Sequence, residues 1–389
     1  MANIKIADIL KKYTMVIALI LVIIFFQVGT EGKILFAQNI NNLISQNAYV
    51  FVLATGMLLC ILTGGNIDLS VGSVVCFVGG IGAVMMANGT NMILAVIVML
   101  VIGLLVGMFQ GFWIAYIKVP PFIATLAGMY AFRGLSNVVL QGYAVSVTDT
   151  AFLNIFGGGA ECYVPDFFGG ETMNMTCVIA GVLIAALYVL ITMKNRVSRK
   201  KKGYETGSLT GDLVRVIVIG ALIIWLFYKL ANFRGISAAL IWIAFILLVY
   251  SYITSKTTIG RYLYAVGGNE KATRLSGVNT KKIYFFAYAN MGLLAGLAGI
   301  LTIARAASAQ PTYGQGYEMD AIAACFIGGA SAYGGVGSVI GMVVGATLMG
   351  VINQGMSIMG VNANYQSVVK GLVLLIAIIF DVMSKKEKN

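Results

Sequence analysis

The chain is 389 residues long; 59% of them are hydrophobic and only 10% are charged. Soluble domains carry roughly 25% charged residues, so a chain with mean hydropathy +0.92 has too little polar surface for water and reads as an integral membrane protein. A formal net charge of +12 does not point to nucleic acid, because the basic residues lie in short blocks between apolar runs, the pattern of cytoplasmic membrane loops. With no histidine in the sequence, His-based catalysis, His-ligated metals and His proton relays are excluded.

A bilayer-crossing helix needs about 20 apolar residues. In chain order, such runs predict spans near 13–29, 49–63, 71–88, 92–117, 122–140, 173–193, 213–230, 237–254, 283–304, 320–333, 338–354 and 366–383. The expected fold is an all-α integral membrane protein of about ten to twelve helices, some of them discontinuous. The second and tenth spans are short enough to be broken or re-entrant. The first run follows Lys11 and Lys12 as a signal peptide would, but no small-x-small cleavage site follows it, so it reads as an uncleaved anchor.

Orientation follows from charge. Lys5, Lys11 and Lys12, the run KNRVSRKKK (194–202), the segment from Lys256 to Lys282 and the tail KKEK (385–388) are basic. Between Arg133 and Lys194 there is no basic residue, although Asp149, Glu161, Asp166 and Glu171 are present. Basic loops inside place both termini in the cytoplasm, 255–282 as the inner loop and 141–172 as the outer one. No soluble domain fits elsewhere, so residues 1–389 form a single transmembrane domain. Glycine at four-residue spacing in GLLVGMFQG (Gly103, Gly107, Gly111) and GMVVG (Gly341, Gly345) is a helix-packing signal. The five cysteines, Cys60, Cys76, Cys162, Cys177 and Cys325, form no CxxC and read as small buried hydrophobes.

The stretch GGNIDLSVGSVV, Gly64 to Val75, sets a carboxylate between two apolar spans. An ionised side chain at membrane depth needs water, a partner or a helix end. Two readings are open for Asn66, Asp68 and Ser70: the cap of a helix broken at Gly64–Gly65, or a polar element lining a translocation path. A second segment, GGASAYGGVGSVI (328–340), echoes the first from a Gly pair to Gly-Ser-Val, with Glu318 and Asp320 just before it. Internal duplication is common in transporters. Arg133, inside the span at 122–140, either snorkels outward or meets a partner that the sequence does not name.

The inner loop contains GRYLYAVGGNEKATRLSGVNTKK, Gly260 to Lys282. It reads as a strand-like lead-in, a Gly-Gly turn at 267–268, and a short amphipathic helix capped by Asn269 and ended by Gly277. Ala272 and Leu275 form its apolar face, with Lys271 and Arg274 elsewhere. Such a helix suits docking into another protein.

Here the chain resembles the permease subunits of ABC-type monosaccharide importers. Gly260, Ala265, Gly267, Asn269, Ala272, Arg274 and Gly277 match their cytoplasmic signature, and GGNIDLSVGS resembles their EIDLSVGS element. VPPFIATLAGMYAFRG (119–134) and DAIAACFIGGASAYGGVGSVIG (320–341) match two more, in family order. Length and the long inner loop look most like the D-xylose and multiple-monosaccharide branch, to whose extra region 195–236 is similar. Asn66 stands where many relatives carry an acid, and Thr273 where alanine is usual.

The resemblance implies a transporter subunit rather than an enzyme, sited in the bacterial inner membrane. Two copies would form the path. An ATP-binding cassette subunit would dock on each inner loop, and a periplasmic or lipid-anchored binding protein would deliver sugar. This sequence has no G-x-x-x-x-G-K-[ST] loop, so ATP and Mg would be held by the partner and no cofactor by this chain. The alternative is a gradient-driven secondary carrier using Asp68, Glu318 and Asp320 as ion sites. That account leaves the inner docking helix unexplained.

Overall fold

The computed structural model describes residues 6–204 and 208–386. Among them the chain is almost wholly helical, in the order α1 (Ile6–Gly29), α2 (Ala37–Gln46), α3 (Ala48–Leu62), α4 (Val71–Ala87), α5 (Met92–Phe112), α6 (Pro121–Leu140), α7 (Thr150–Phe156), α8 (Met175–Lys201), α9 (Leu209–Ala231), α10 (Ala238–Lys256), α11 (Thr258–Gly268), α12 (Glu270–Leu275), α13 (Thr280–Ala306), α14 (Tyr317–Ile327), α15 (Val339–Ile358) and α16 (Ala363–Lys386). Two-residue strands, β1 (Val145–Ser146) and β2 (Ser308–Ala309), pair antiparallel with Val145 opposite Ala309.

Each predicted span falls on a helix. Among the described residues eight helices are long and apolar enough to cross a membrane, and α2 and α3, which meet at 43°, pass together as a ninth. Two elements depart from the sequence reading. Helix α2, AQNINNLISQ, carries too many amides to register as an apolar run, yet it buries Ile40, Asn41, Ile44 and Ser45 along one face. The predicted span 320–333 divides. Helix α14 has 11 residues, about 17 Å at 1.5 Å per residue, roughly half the hydrocarbon core; residues 328–338 continue as a glycine-rich loop.

Helices α3 and α13 form the centre. In α3 every residue except Tyr49 is buried, as befits a helix that is apolar all round; its Thr55 hydroxyl is satisfied by donating to Phe51 O at 2.7 Å. The glycines of GLLVGMFQG bring α5 onto α13 backbone to backbone. A Cβ on Gly107 would lie 2.4 Å from Tyr288 O, and one on Gly292 2.5 Å from Gly107 Cα. Gly345 brings α15 onto α14 in the same way, with Ala324 O 2.0 Å from where its Cβ would be. Helices α8 and α9 form a hairpin at the edge, Gly181 seated against Phe227, whose outward Leu183, Leu190 and Ile217 are exposed and face lipid. All five cysteines are free and buried.

Helix α13, 27 residues and so about 40 Å long, runs from one end of the bundle to the other. The α11–α12 segment lies at its start, and the β1–β2 ribbon with loop 141–172 lies at its end.

Candidate functional site

The end of the bundle at the start of α13 is built on α11 and α12. The expected strand-like lead-in and Gly-Gly turn are instead a helix: Thr257 caps α11, its hydroxyl accepting from Gly260 N at 3.1 Å, and Gly267–Gly268 are its last residues. The glycine is needed for contact rather than turning, since a Cβ on Gly267 would lie 1.9 Å from Leu62 O. Asn269 then caps α12, Oδ1 accepting from Ala272 N at 2.9 Å, and Gly277 ends it with φ +85°. Thr273 Oγ1 lies 2.8 Å from both Ala265 O and Asn269 O, so the residue found in place of the usual alanine ties α12 to α11. Ala272, Lys271 and Arg274 are exposed, and Leu275 is 79% exposed, an apolar side chain presented outward.

Two residues that the sequence did not single out hold α12 in place. Glu270 accepts from Thr280 Oγ1 at 3.0 Å and Tyr284 OH at 3.1 Å, and pairs with Lys118 at 3.4 Å. Burial pushes its carboxyl up, but these donors together hold it below the usual glutamate range. Lys118 reaches it because α5 ends in a π turn, Trp113–Ile117, followed by Lys118 in the left-handed region at φ 69°, uncommon for a non-glycine residue. The only sequence signal was a lone lysine between an apolar run and Pro120–Pro121.

The two echoing segments touch beside α11. Gly335 N donates to Leu62 O at 3.1 Å. Cβ atoms on Gly65 and Gly334 would lie 1.8 Å from Ala332 O and 2.4 Å from Gly64 Cα. Tyr264 OH of α11 donates to Gly337 O at 2.9 Å, and Ala332 N donates to Asp381 Oδ2 of α16 at 3.0 Å. Three chain segments thus meet through main chain at one node. Asn66 sits within it, Nδ2 donating to Thr63 Oγ1 at 3.3 Å.

Asp68 faces away from the node into the core and is 4% exposed. Its Oδ1 accepts from Ser70 N at 2.9 Å and Ser70 Oγ at 2.6 Å, and Ser70 Oγ accepts from Gln110 Nε2 at 2.6 Å. This is an Asx turn leading into α4, with Gly64 (φ +136°) and Gly65 (φ +74°) making the break. The gap between Asp68, Ser70, Val106, Gln110 and Met291 has no room for a water molecule. Gln110, the third member of this chain of side chains, was read only as one polar letter between packing glycines.

At the opposite end of the bundle Arg133 finds its partners in main chain: Nη1 donates to Tyr313 O at 2.7 Å and Pro311 O at 3.2 Å. Glu318 and Asp320 both lie in the first turn of α14, where negative charge meets the helix's positive end. Asp320 is wholly buried; its Oδ2 accepts from Tyr49 OH at 2.6 Å and Lys370 Nζ at 2.9 Å. The Tyr49 ring stacks on Tyr317, centroids 3.5 Å apart at 12°. The six residues expected as one path or cap therefore do not all converge. Asn66 belongs to the node beside α11, Asp68 and Ser70 to the core, and Arg133 and Asp320 to the opposite end, while Glu318 reaches back to the first turn of α4, its Oε2 2.5 Å from where a Cβ on Gly72 would be. Lys370, Tyr49 and Tyr317 were missed, although a lysine inside the last apolar run was a readable signal.

A many-helix bundle broken at two glycine loops, with a short exposed helix at one end and polar clusters at membrane depth, defines a polytopic membrane protein of the permease kind. The chain belongs to the family described as branched-chain amino acid transport system / permease component, whose profile matches residues 39–378. It is similar to the xylose transport system permease protein XylH of Haemophilus influenzae, 37% identical over 379 residues, 97% of this chain and 98% of the relative. XylH of Escherichia coli K12 is 38% identical over 383 residues, 97% and 93% of the two chains. The ribose import permease protein RbsC of the same strain is 34% identical over 344 residues, 88% and 85%. No solved structure matches the chain. The family resemblance drawn from the four motifs is borne out.

Proposed function

We propose that this chain is the permease subunit of an ATP-driven monosaccharide importer of the bacterial inner membrane, with xylose as its first candidate sugar. The observation that carries this reading is the match along 97% of the chain to xylose transport permeases. The outward-facing helix α12, with Leu275 and Arg274 exposed, gives a separate ATP-binding subunit a surface to grip. Two copies form the path, both termini lie in the cytoplasm, and a sugar-binding protein delivers at the opposite end. Closure of the ATP-bound motor moves α11–α12, and the node passes that displacement to the loops that begin α4 and α15. A gradient-driven carrier is less well supported: Asp68 is sealed, and Asp320 is engaged by Lys370 and Tyr49.

The test is expression of the tagged chain with its neighbouring genes, followed by identification of co-purifying proteins and measurement of labelled xylose and ribose uptake. We expect a stoichiometric partner carrying a phosphate-binding loop, and uptake that survives an uncoupler but not ATP depletion. A chain that purifies alone and moves sugar under an ion gradient overturns the reading. Arg274→Glu is expected to weaken motor retention at least about tenfold, the scale of one charged contact. Unchanged ATP-driven uptake in that variant refutes the docking role of α12.

A further inference from the structure

At the outer end, between the first residues of α3 and the last turn of α13, lies a half-open cavity of about 140 Å³. We propose that it is a sugar-contact site within the permease itself, taking one neutral monosaccharide ring; this rests on the function proposed above. Its walls include Tyr49, Tyr313, Tyr317, Gln46, Thr302 and Arg305. An enclosed cavity of about 150 Å³ accepts benzene; this one is of that size but half open, so one face of a single pyranose seats against the lining while its outer hydroxyls project through the opening, and a disaccharide has no room.

The lining is mixed in the way a polyol requires. Aromatic faces cover the C–H face of a sugar ring, while an amide, a hydroxyl and a guanidinium reach its hydroxyls. Arg305 is exposed and takes part in none of the ion pairs found among the described residues, leaving its donors for a ligand. The aromatic walls are preorganised. Tyr49 is fixed by its bond to Asp320 and its stack on Tyr317. Tyr313 is held at its carbonyl by Arg133 and at its hydroxyl by Ser308, 3.2 Å away. Arg133, expected to line a path, is therefore a positioning residue for the cavity wall. A free amino acid fits less well, because no carboxylate lines the cavity to receive its ammonium; Asp320 lies behind Tyr49 and is already engaged by Lys370.

The test uses the complete importer, chain and partners together, in membrane vesicles with ATP and sugar-loaded binding protein. Ala306 is an exposed residue on the cavity rim, and Ala306→Trp plugs the space without touching the core. Arg305→Gln removes the charged donor. Arg305→Gln is expected to lower the saturating rate of labelled xylose or ribose uptake by roughly ten- to hundredfold, the effect of losing one hydrogen bond to a charged group, and Ala306→Trp, which fills the site, by at least as much. Membrane abundance and partner retention are expected to stay unchanged. Uptake within about twofold of the parent in both variants overturns the cavity inference and leaves the permease reading standing. A parent complex that moves no sugar overturns both.

Discussion

Asp68 has a place for its acceptor oxygen but no structural use for its charge. Oδ1 alone orders Ser70, through the amide at 2.9 Å and the hydroxyl at 2.6 Å. Asparagine keeps that oxygen and alanine removes it. Asp68→Asn is expected to fold and transport nearly as the parent does, whereas Asp68→Ala leaves the Ser70 amide and hydroxyl without their acceptor at a cost of about 1–3 kcal/mol. Thermal unfolding in detergent alongside vesicle uptake separates the two, and a folded Asp68→Asn without transport would mean that the charge itself acts on the solute. Glu270 is the opposite case, because its charge is in use. Its carboxyl lies below the usual glutamate range in the folded protein. The contribution is therefore complete above that range, about pH 4.3, and is lost as pH falls through the folded value. The protection factors of the α12 amides, that is exchange corrected for the intrinsic rate at each pH, are expected to be high at neutral pH and to fall on acidification below about pH 4. In Glu270→Gln they should be low already at neutral pH and change far less as pH falls.

At the scale of elements, the glycines decide which helices touch. A Cβ on Gly107 would lie 2.4 Å from Tyr288 O and 2.9 Å from Gly292 Cα, and neither backbone can yield. Gly107→Ala is expected to cost about 1–3 kcal/mol through overpacking, read as a lower temperature at which the purified chain loses its monodisperse peak. Gly134→Ala, with nothing within 4 Å of the new Cβ, is expected to be neutral, and equal losses in the two variants would contradict this account. These contacts were legible in the sequence because small residues four apart mark one helix face, and the spans were legible because hydrocarbon demands apolar length. Helix α2 was not, since its amides find main-chain acceptors that an apolar-run reading does not see: Asn41 Nδ2 reaches Gly235 O of a distant segment at 3.4 Å, and Asn47, just past its end, donates from Nδ2 to Leu43 O at 2.9 Å. The helical form of 258–268 was hidden because Gly267 and Gly268 read as a turn, whereas tertiary contact with Leu62 set their role. The candidate site was legible in its letters but not in its grouping. Asp68 and Asp320 both contact α3, at Met57 and Tyr49, about 12 Å apart along the helix; no pattern in the linear sequence separates them.

For the whole molecule, the prediction concerns sidedness. Leu275 is 79% and Tyr143 75% exposed, and they lie at opposite ends of the bundle. In intact cells Tyr143→Cys is expected to react with a membrane-impermeant thiol reagent and Leu275→Cys only after permeabilisation, the five native cysteines being buried; the reverse order would invert the topology. Where Gly267, Gly335 and Gly65 meet their neighbours, the touching surfaces are peptide backbone with no side chain between them. A side chain can switch rotamer and absorb a small push, but a peptide plane has no such freedom. Under the proposed mechanism, a stroke of an ångström at α11 therefore reaches both glycine loops almost undiminished, as in a gear train cut without backlash. A single methyl group added at Gly65 or Gly267, 1.8–1.9 Å from facing main chain, would wedge the gears apart before it changed anything the solute meets.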